Sequence, residues 1–180
     1  MTRQLVAALL LCVSVGAMAQ GREVKTFEFE PFFGATAGLH SPGSMVIGPA
    51  LGLEGRWNLR RRPIDIGAQL YIGSACSTYK DDDISCRIAS LGAFADWNFG
   101  RGSSVAPFVG VGLSFNRYDM VNGSYNDDEG DGTSGPGINP RVGVELFRHL
   151  RLTLTARIGR NIYNQGSLTI GYAFGGGLKR

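Results

Sequence analysis

The chain has 180 residues, with 18 basic and 15 acidic side chains and a net charge of +3 at neutral pH. So small a surplus, scattered apart from Arg60-Arg61-Arg62, leaves no electrostatic footprint for nucleic acid. Beyond the N-terminus no apolar run is long enough for a spanning helix, so the mature chain reads as either a soluble domain or a barrel.

Residues 1–19 read as a cleaved secretory signal peptide. Arg3 supplies the positive start and Leu5 to Val15 the apolar stretch. Ala17-Met18-Ala19 is a small-x-small cleavage site. The apolar stretch is too short for a stop-transfer helix. Cys12 follows Leu11 rather than a small residue, which argues against a lipoprotein signal. The mature domain is then 20–180, about 160 residues, enough for one domain. It retains Cys76 and Cys86. An even pair in an exported chain reads as a disulfide, whereas two thiols with no nearby His make a poor metal site.

From Phe27 onward the pattern is alternation with period two, the signature of strands, in eight segments. The first spans about 27–39 and sets Phe27, Phe29, Phe33 and Leu39 against Glu28 and Glu30. The second, 47–59, sets Leu51, Leu53 and Trp57 against Glu54 and Arg56. The third, 64–72, sets Ile66, Leu70 and Ile72 against Asp65, Gln69 and Tyr71. The fourth, 88–99, sets Leu91, Trp97 and Phe99 against Ser90 and Asp96. The fifth, 105–117, carries Val109, Val111, Leu113 and Phe115 on its apolar parity. The sixth, 138–147, opposes Val142 and Val144 to Arg141 and Glu145. The seventh, 150–159, opposes Leu152 and Leu154 to Arg151 and Arg157. The eighth, 168–175, opposes Leu168, Ile170, Tyr172 and Phe174 to Thr169 and Gly171.

The connections alternate in length. The second, fourth and sixth are tight, at 60–63, 100–104 and 148–149. The third holds the Cys76–Cys86 stretch as a loop, and the fifth, about 118–137, is the longest. Short turns at one end and long loops at the other are the habit of outer-membrane barrels; with an even strand number both termini lie on the inner side. Pro31, Pro49, Pro107 and Pro140 cannot donate to a ladder and are placed near strand starts.

The fold class is therefore all-β, a closed eight-stranded antiparallel up-and-down barrel. The polar parity is poor in Lys, unlike the outside of a soluble barrel. It carries Glu28, Glu30, Glu54, Arg56, Asp65, Asp96, Arg141, Glu145, Arg151 and Arg157, which read as a lumen charge network. Phe27, Phe29, Trp57, Trp97, Phe99, Tyr172 and Phe174 cluster near the inner end of the apolar parity and read as an aromatic girdle. Phe115, with Tyr118 beyond it, reads as part of an opposite girdle.

With its leader, eight alternating strands, short inner turns and long outer loops, the chain resembles the small outer-membrane barrels, of which outer-membrane protein X and the barrel domain of outer-membrane protein A are type members. The resemblance covers nearly the whole mature chain. It implies location in the outer membrane of a Gram-negative cell envelope and contact with membrane lipid and lipopolysaccharide. It also implies handling by the barrel-insertion machinery and a structural or surface role, in adhesion or envelope integrity, through the outer loops. The family's terminal aromatic is displaced here, since Phe174 is followed by Gly175-Gly176-Gly177-Leu178-Lys179-Arg180.

No catalytic or cofactor-binding residue is assigned. An eight-stranded interior is filled by side chains, which excludes a wide pore. Asp127-x-Glu129-x-Asp131-Gly132 matches the opening of a calcium loop, but the twelfth position falls on Ile138 where a bidentate Glu is needed. A lipid acyl hydrolase would need a nucleophile and base together. His40 and Ser41 are adjacent and so point to opposite faces, and His149 falls in an inner turn. The runner-up function is a secreted soluble barrel holding a small apolar ligand.

Overall fold

A strand turns successive side chains to opposite faces. A sheet whose two faces differ in polarity can satisfy both by closing, with one face in and the other out. The computed structural model describes residues 26–39, 47–59, 62–79, 82–101, 103–122, 133–160 and 163–175. Eight strands run in chain order: β1 (Phe27–Gly38), β2 (Ile47–Asn58), β3 (Ile64–Tyr79), β4 (Asp82–Asn98), β5 (Val105–Asn122), β6 (Thr133–Leu146), β7 (Leu150–Arg157) and β8 (Gln165–Tyr172). Each pairs antiparallel with the next, and β8 returns to β1, so the sheet is a closed barrel.

The polar parity faces in. Glu28, Glu30, Glu54, Arg56, Asp65, Asp96, Arg141, Arg151 and Arg157 are buried. Leu51, Leu70, Leu91, Val111, Leu113 and Leu168 point outward and are exposed. A soluble barrel would show the reverse. An outward apolar face around a charged, filled interior suits a bilayer.

Two connections differ from the sequence expectation. The Cys76–Cys86 stretch is not a loop: β3 and β4 stay paired to Tyr79↔Asp82. The fifth connection is likewise shortened, because β5 and β6 pair as far as Tyr118↔Thr133. Past the apolar belt both faces of a strand meet water, so alternation fades while the backbone ladder continues.

Pro49 and Pro107 are each third in their strands, near the starts, whereas Pro31 and Pro140 sit deeper and leave a visible mark. β1 pairs with β8 from Phe32↔Gly171, breaks at Pro31, and resumes as the single bridge Phe29↔Phe174. β6 pairs with β7 up to Arg141↔Thr155, breaks at Pro140, and resumes at Ile138↔Ile158. In each case the missing N–H interrupts one ladder, and a reciprocal pair of backbone hydrogen bonds of 2.7–3.0 Å re-forms two residues on. The ladders on the other side, Pro31↔Leu53 and Pro140↔Val111, keep their register.

Candidate functional site

The inward side chains build the lumen in layers from the inner end. Lowest is Asp65, which accepts from Asn98 Nδ2 and pairs with Arg101. Arg101 lies in the β4–β5 turn and also donates to the carbonyls of Leu59 and Arg62, at 2.8 and 2.7 Å. It thus ties two turns together beneath the barrel. Burial pushes its guanidinium below its ordinary value, yet arginine keeps its proton in proteins.

Above it Arg56 sits between Glu28 and Glu30, at 3.0 and 2.9 Å. Arg151 is a hub: it reaches Asp96 at 3.0 Å, Glu30 at 3.7 Å and Glu145 at 3.8 Å. Arg141 grips Glu54 in bidentate fashion, at 2.8 and 3.0 Å, and meets Asp96 at 3.3 Å. The guanidinium fork matches a carboxylate in this way, and an ammonium would not. Arg157 has no carboxylate within ion-pair distance among the described residues. It donates to Ser167 Oγ and to Gln69 Oε1, at 2.7 and 2.8 Å, while Gln69 Nε2 donates to Glu54 at 2.6 Å. The Gln69 amide therefore joins Arg157 to Glu54 through one neutral group. A cavity lined by Gln69, Phe94, Asn139, Arg141 and Thr155 has room for about one water.

Three inward aromatics were not legible as part of this network: Phe32, Phe94 and Phe108. Each lies directly across the ladder from a glycine, in the pairs Phe32↔Gly52, Phe94↔Gly67 and Phe108↔Gly143. A Cβ on Gly143 would collide with the Phe108 ring and with the Leu152 carbonyl. The rings lie over the glycines, and two of them offer their faces to arginines: Arg151 lies 3.8 Å from the Phe108 centroid and Arg141 lies 4.3 Å from that of Phe94. Arg157 sits 3.3 Å over Tyr71. The usable signal was an aromatic on the small, polar parity facing a glycine. Gly143→Val is expected to cost about 1–3 kcal/mol by overpacking, read as a lower urea midpoint for the folded form in detergent micelles.

The aromatic residues of the inner end are distributed as follows. Phe27 and Trp57 are register partners with ring centroids 5.6 Å apart, and Tyr172 meets Phe174 at 4.9 Å. Phe29 bridges Phe174, and Trp97 faces outward opposite Ile64. Phe99 is half-buried. His149 stacks on Tyr172 at 5.4 Å, with Nδ1 3.0 Å from the Ala173 carbonyl. At the other end Phe115 is exposed, but Tyr118 is not part of an outward girdle. It points inward, is buried, and packs on Tyr163 at 4.8 Å. The even positions of β5 face the lumen, so Tyr118 follows Ser114 and Asn116 inward. Asn116 donates to its hydroxyl at 3.0 Å.

Cys76 stands opposite Ser85 and Cys86 opposite Ala75 in the backbone register; their side chains lie outside the described residues. So do Asp127, Glu129 and Asp131 of the calcium-like stretch, and His40 and Ser41.

No protein-family model and no curated protein sequence matches the chain. Solved structures do. Neisserial surface protein A superposes with a TM-score of 0.58 at 19% identity, over 84% of this chain and 98% of that one. The fold is that of the small outer-membrane barrels. Ail, the attachment invasion locus protein of Yersinia pestis, is more distant, with a TM-score of 0.47 at 10% identity over 83% of this chain and 99% of its own. The outer-membrane enzyme PagL gives 0.46 at 15% identity over 82% and 98%. This chain shares that fold and carries an outward apolar belt of the kind that suits a bilayer.

Proposed function

We propose that the protein is a non-enzymatic surface barrel that acts through its outer rim, in adhesion or envelope integrity. The observation that carries this reading is the uneven height of the wall. The β2–β3 ladder ends at Ala50↔Gly73, but β3–β4 continues to Tyr79↔Asp82. On the far side β5–β6 continues to Tyr118↔Thr133, beyond the last β6–β7 bridge at Ile138↔Ile158. Strands β3 to β6 thus rise past the barrel as a four-stranded tongue. Each margin, Ser74–Tyr79 and Thr133–Gly137, is laddered on its inner side only, to β4 and to β5, and has no ladder partner on its other side among the described residues. Ordered strands projecting from a membrane barrel present backbone donors and acceptors to a partner.

The packed, charged lumen supports a plug rather than a wide pore, and its buried ion pairs do not suit the apolar ligand of a soluble barrel. The acidic stretches Asp81–Asp83 and Asp127–Asp131 suit divalent bridging to lipopolysaccharide. In the same reading residues 1–19 are removed on export, insertion uses the barrel-insertion machinery, and Cys76 and Cys86 are oxidised as a pair in the oxidising compartment.

Trypsin on intact cells tests the orientation. In the chain Lys80 follows Tyr79, the last residue of β3, and precedes Asp82, the first of β4. Cleavage after Lys80, lost in Lys80→Gln, is expected from whole cells, on a protein whose gel mobility changes on boiling. Protection of Lys80 with cleavage at Arg60–Arg62 only after the envelope is opened would be expected for a buried tongue and would overturn the surface reading.

A further inference from the structure

A charge on the lipid side of a membrane barrel is costly at the midplane and tolerated near the interfaces. Among the described outward positions of the eight strands, charged side chains stand at Arg87, Arg117 and Asp119 alone. All three share one patch of β4 and β5, and the register across β3 to β6 fixes its height. Leu70, Leu91, Phe115 and Pro136 form the last outward row that is apolar throughout. The next row toward the outer end is Ile72, Ala89, Arg117 and Ser134, and beyond it stand Ser74, Arg87 and Asp119. The arginines therefore lie at the outer border of the apolar belt, where hydrocarbon gives way to lipid headgroups.

Arg87 and Arg117 are diagonal neighbours on one face, about 7–8 Å apart and within reach of each other's long side chains. Both are exposed. Ala89, directly opposite Arg117 and two residues from Arg87, is too short to fill the space between them. Arg117 Nε donates to Asp119 Oδ1 at 3.3 Å. That contact comes from the water side of Arg117 and occupies Nε, so both Nη groups remain to donate elsewhere. One carboxylate against two guanidinium groups leaves surplus positive charge at headgroup level. We propose that the guanidinium forks of this patch bind the phosphate monoester of a lipid in the outer leaflet. Each fork donates in pairs, and a monoester offers three acceptor oxygens to share between two forks. The acyl chains of that lipid lie along Leu91 and Phe115 below. This inference rests on the membrane reading but not on what the edges of the tongue bind.

The test uses the full mature chain in vesicles of phosphatidylcholine that also hold equal amounts of phosphatidic acid, a monoester, and phosphatidylglycerol, a diester. Insertion is read by gel mobility before and after boiling, and retained lipid by native mass spectrometry. Phosphatidic acid is expected to be enriched over phosphatidylcholine by about five-fold for each arginine engaged, and to exceed phosphatidylglycerol. Arg87→Gln with Arg117→Gln should lose this enrichment. Arg87→Lys with Arg117→Lys keeps the charges without the forks, and should hold both anionic lipids equally. Arg160→Gln is the control for charge. Arg160 is exposed at the same end but donates to Thr133, which faces the other side of β6 from Ser134, and its loss should change nothing. Full monoester preference in either double variant overturns the inference, and so does an equal loss in Arg160→Gln. Displacement of phosphatidic acid by inorganic phosphate would assign the arginines to a free anion and overturn it too. A barrel that inserts without monoester preference sinks this inference alone, whereas failure to insert in any vesicle sinks the membrane reading with it.

Discussion

Arg151→Met is expected to destabilise the barrel by about 3–5 kcal/mol. Its guanidinium is fully buried, holds Glu30, Asp96 and Glu145, and lies over the Phe108 ring. Methionine refills most of the volume but leaves three carboxylates facing one another with a cation removed. The measurement is urea unfolding in detergent micelles, followed by the fraction of protein that keeps its unboiled gel mobility. Adding Asp96→Asn removes one of the three negative charges and should return part of the loss. Coupled neighbours typically show about 0.5–3 kcal/mol of interaction. A loss below about 1 kcal/mol would mean that lumen water solvates these groups as well as the protein does, and the plug would then not be what holds the barrel closed.

Val111→Arg addresses the outside. Val111 lies midway along the outward row of β5 that runs from Val105 to Phe115, and it is exposed. A charge on the lipid face near the midplane costs about 2–4 kcal/mol. For a soluble barrel the same exposed position would accept arginine at almost no cost. The variant should therefore refold less completely into vesicles and unfold at lower urea. Wild-type behaviour in both assays would mean that this face meets water.

The membrane-crossing part of the fold was legible because lipid and lumen impose opposite demands on alternate residues. Leu152, Leu154 and Ala156 against Arg151, Thr153 and Arg157 leave one reading. The tongue was not legible, for the same reason. Residues such as Ser74-Ala75-Cys76-Ser77-Thr78 stand beyond the belt, where neither face is selected for polarity, and only the ladder to β4 shows that they are strand. Within the lumen the charged residues could be named from parity, but their partners could not. Which carboxylate Arg141 holds depends on how far strands two and six are staggered round the barrel. Arg101 was invisible because a turn residue carries no parity, and only its contact with Asp65 reveals that it reaches inside. Phe32, Phe94 and Phe108 broke the polar pattern, and their meaning lies in the glycines they cover.

The interrupted β1–β8 ladder has a kinetic consequence. Seven of the eight strand pairings join chain neighbours, whereas the closing one brings Phe32 to Gly171. That contact spans nearly the whole sequence and has the largest loop entropy to overcome, so it forms last. The break at Pro31 leaves this seam with a single bridge, Phe29↔Phe174, at its inner end. A barrel assembling hairpin by hairpin therefore waits, nearly complete, with β1 and β8 unjoined. The order of events is set by chain connectivity, and the seam then latches along the seven register pairs from Phe32↔Gly171 to Gly38↔Gln165.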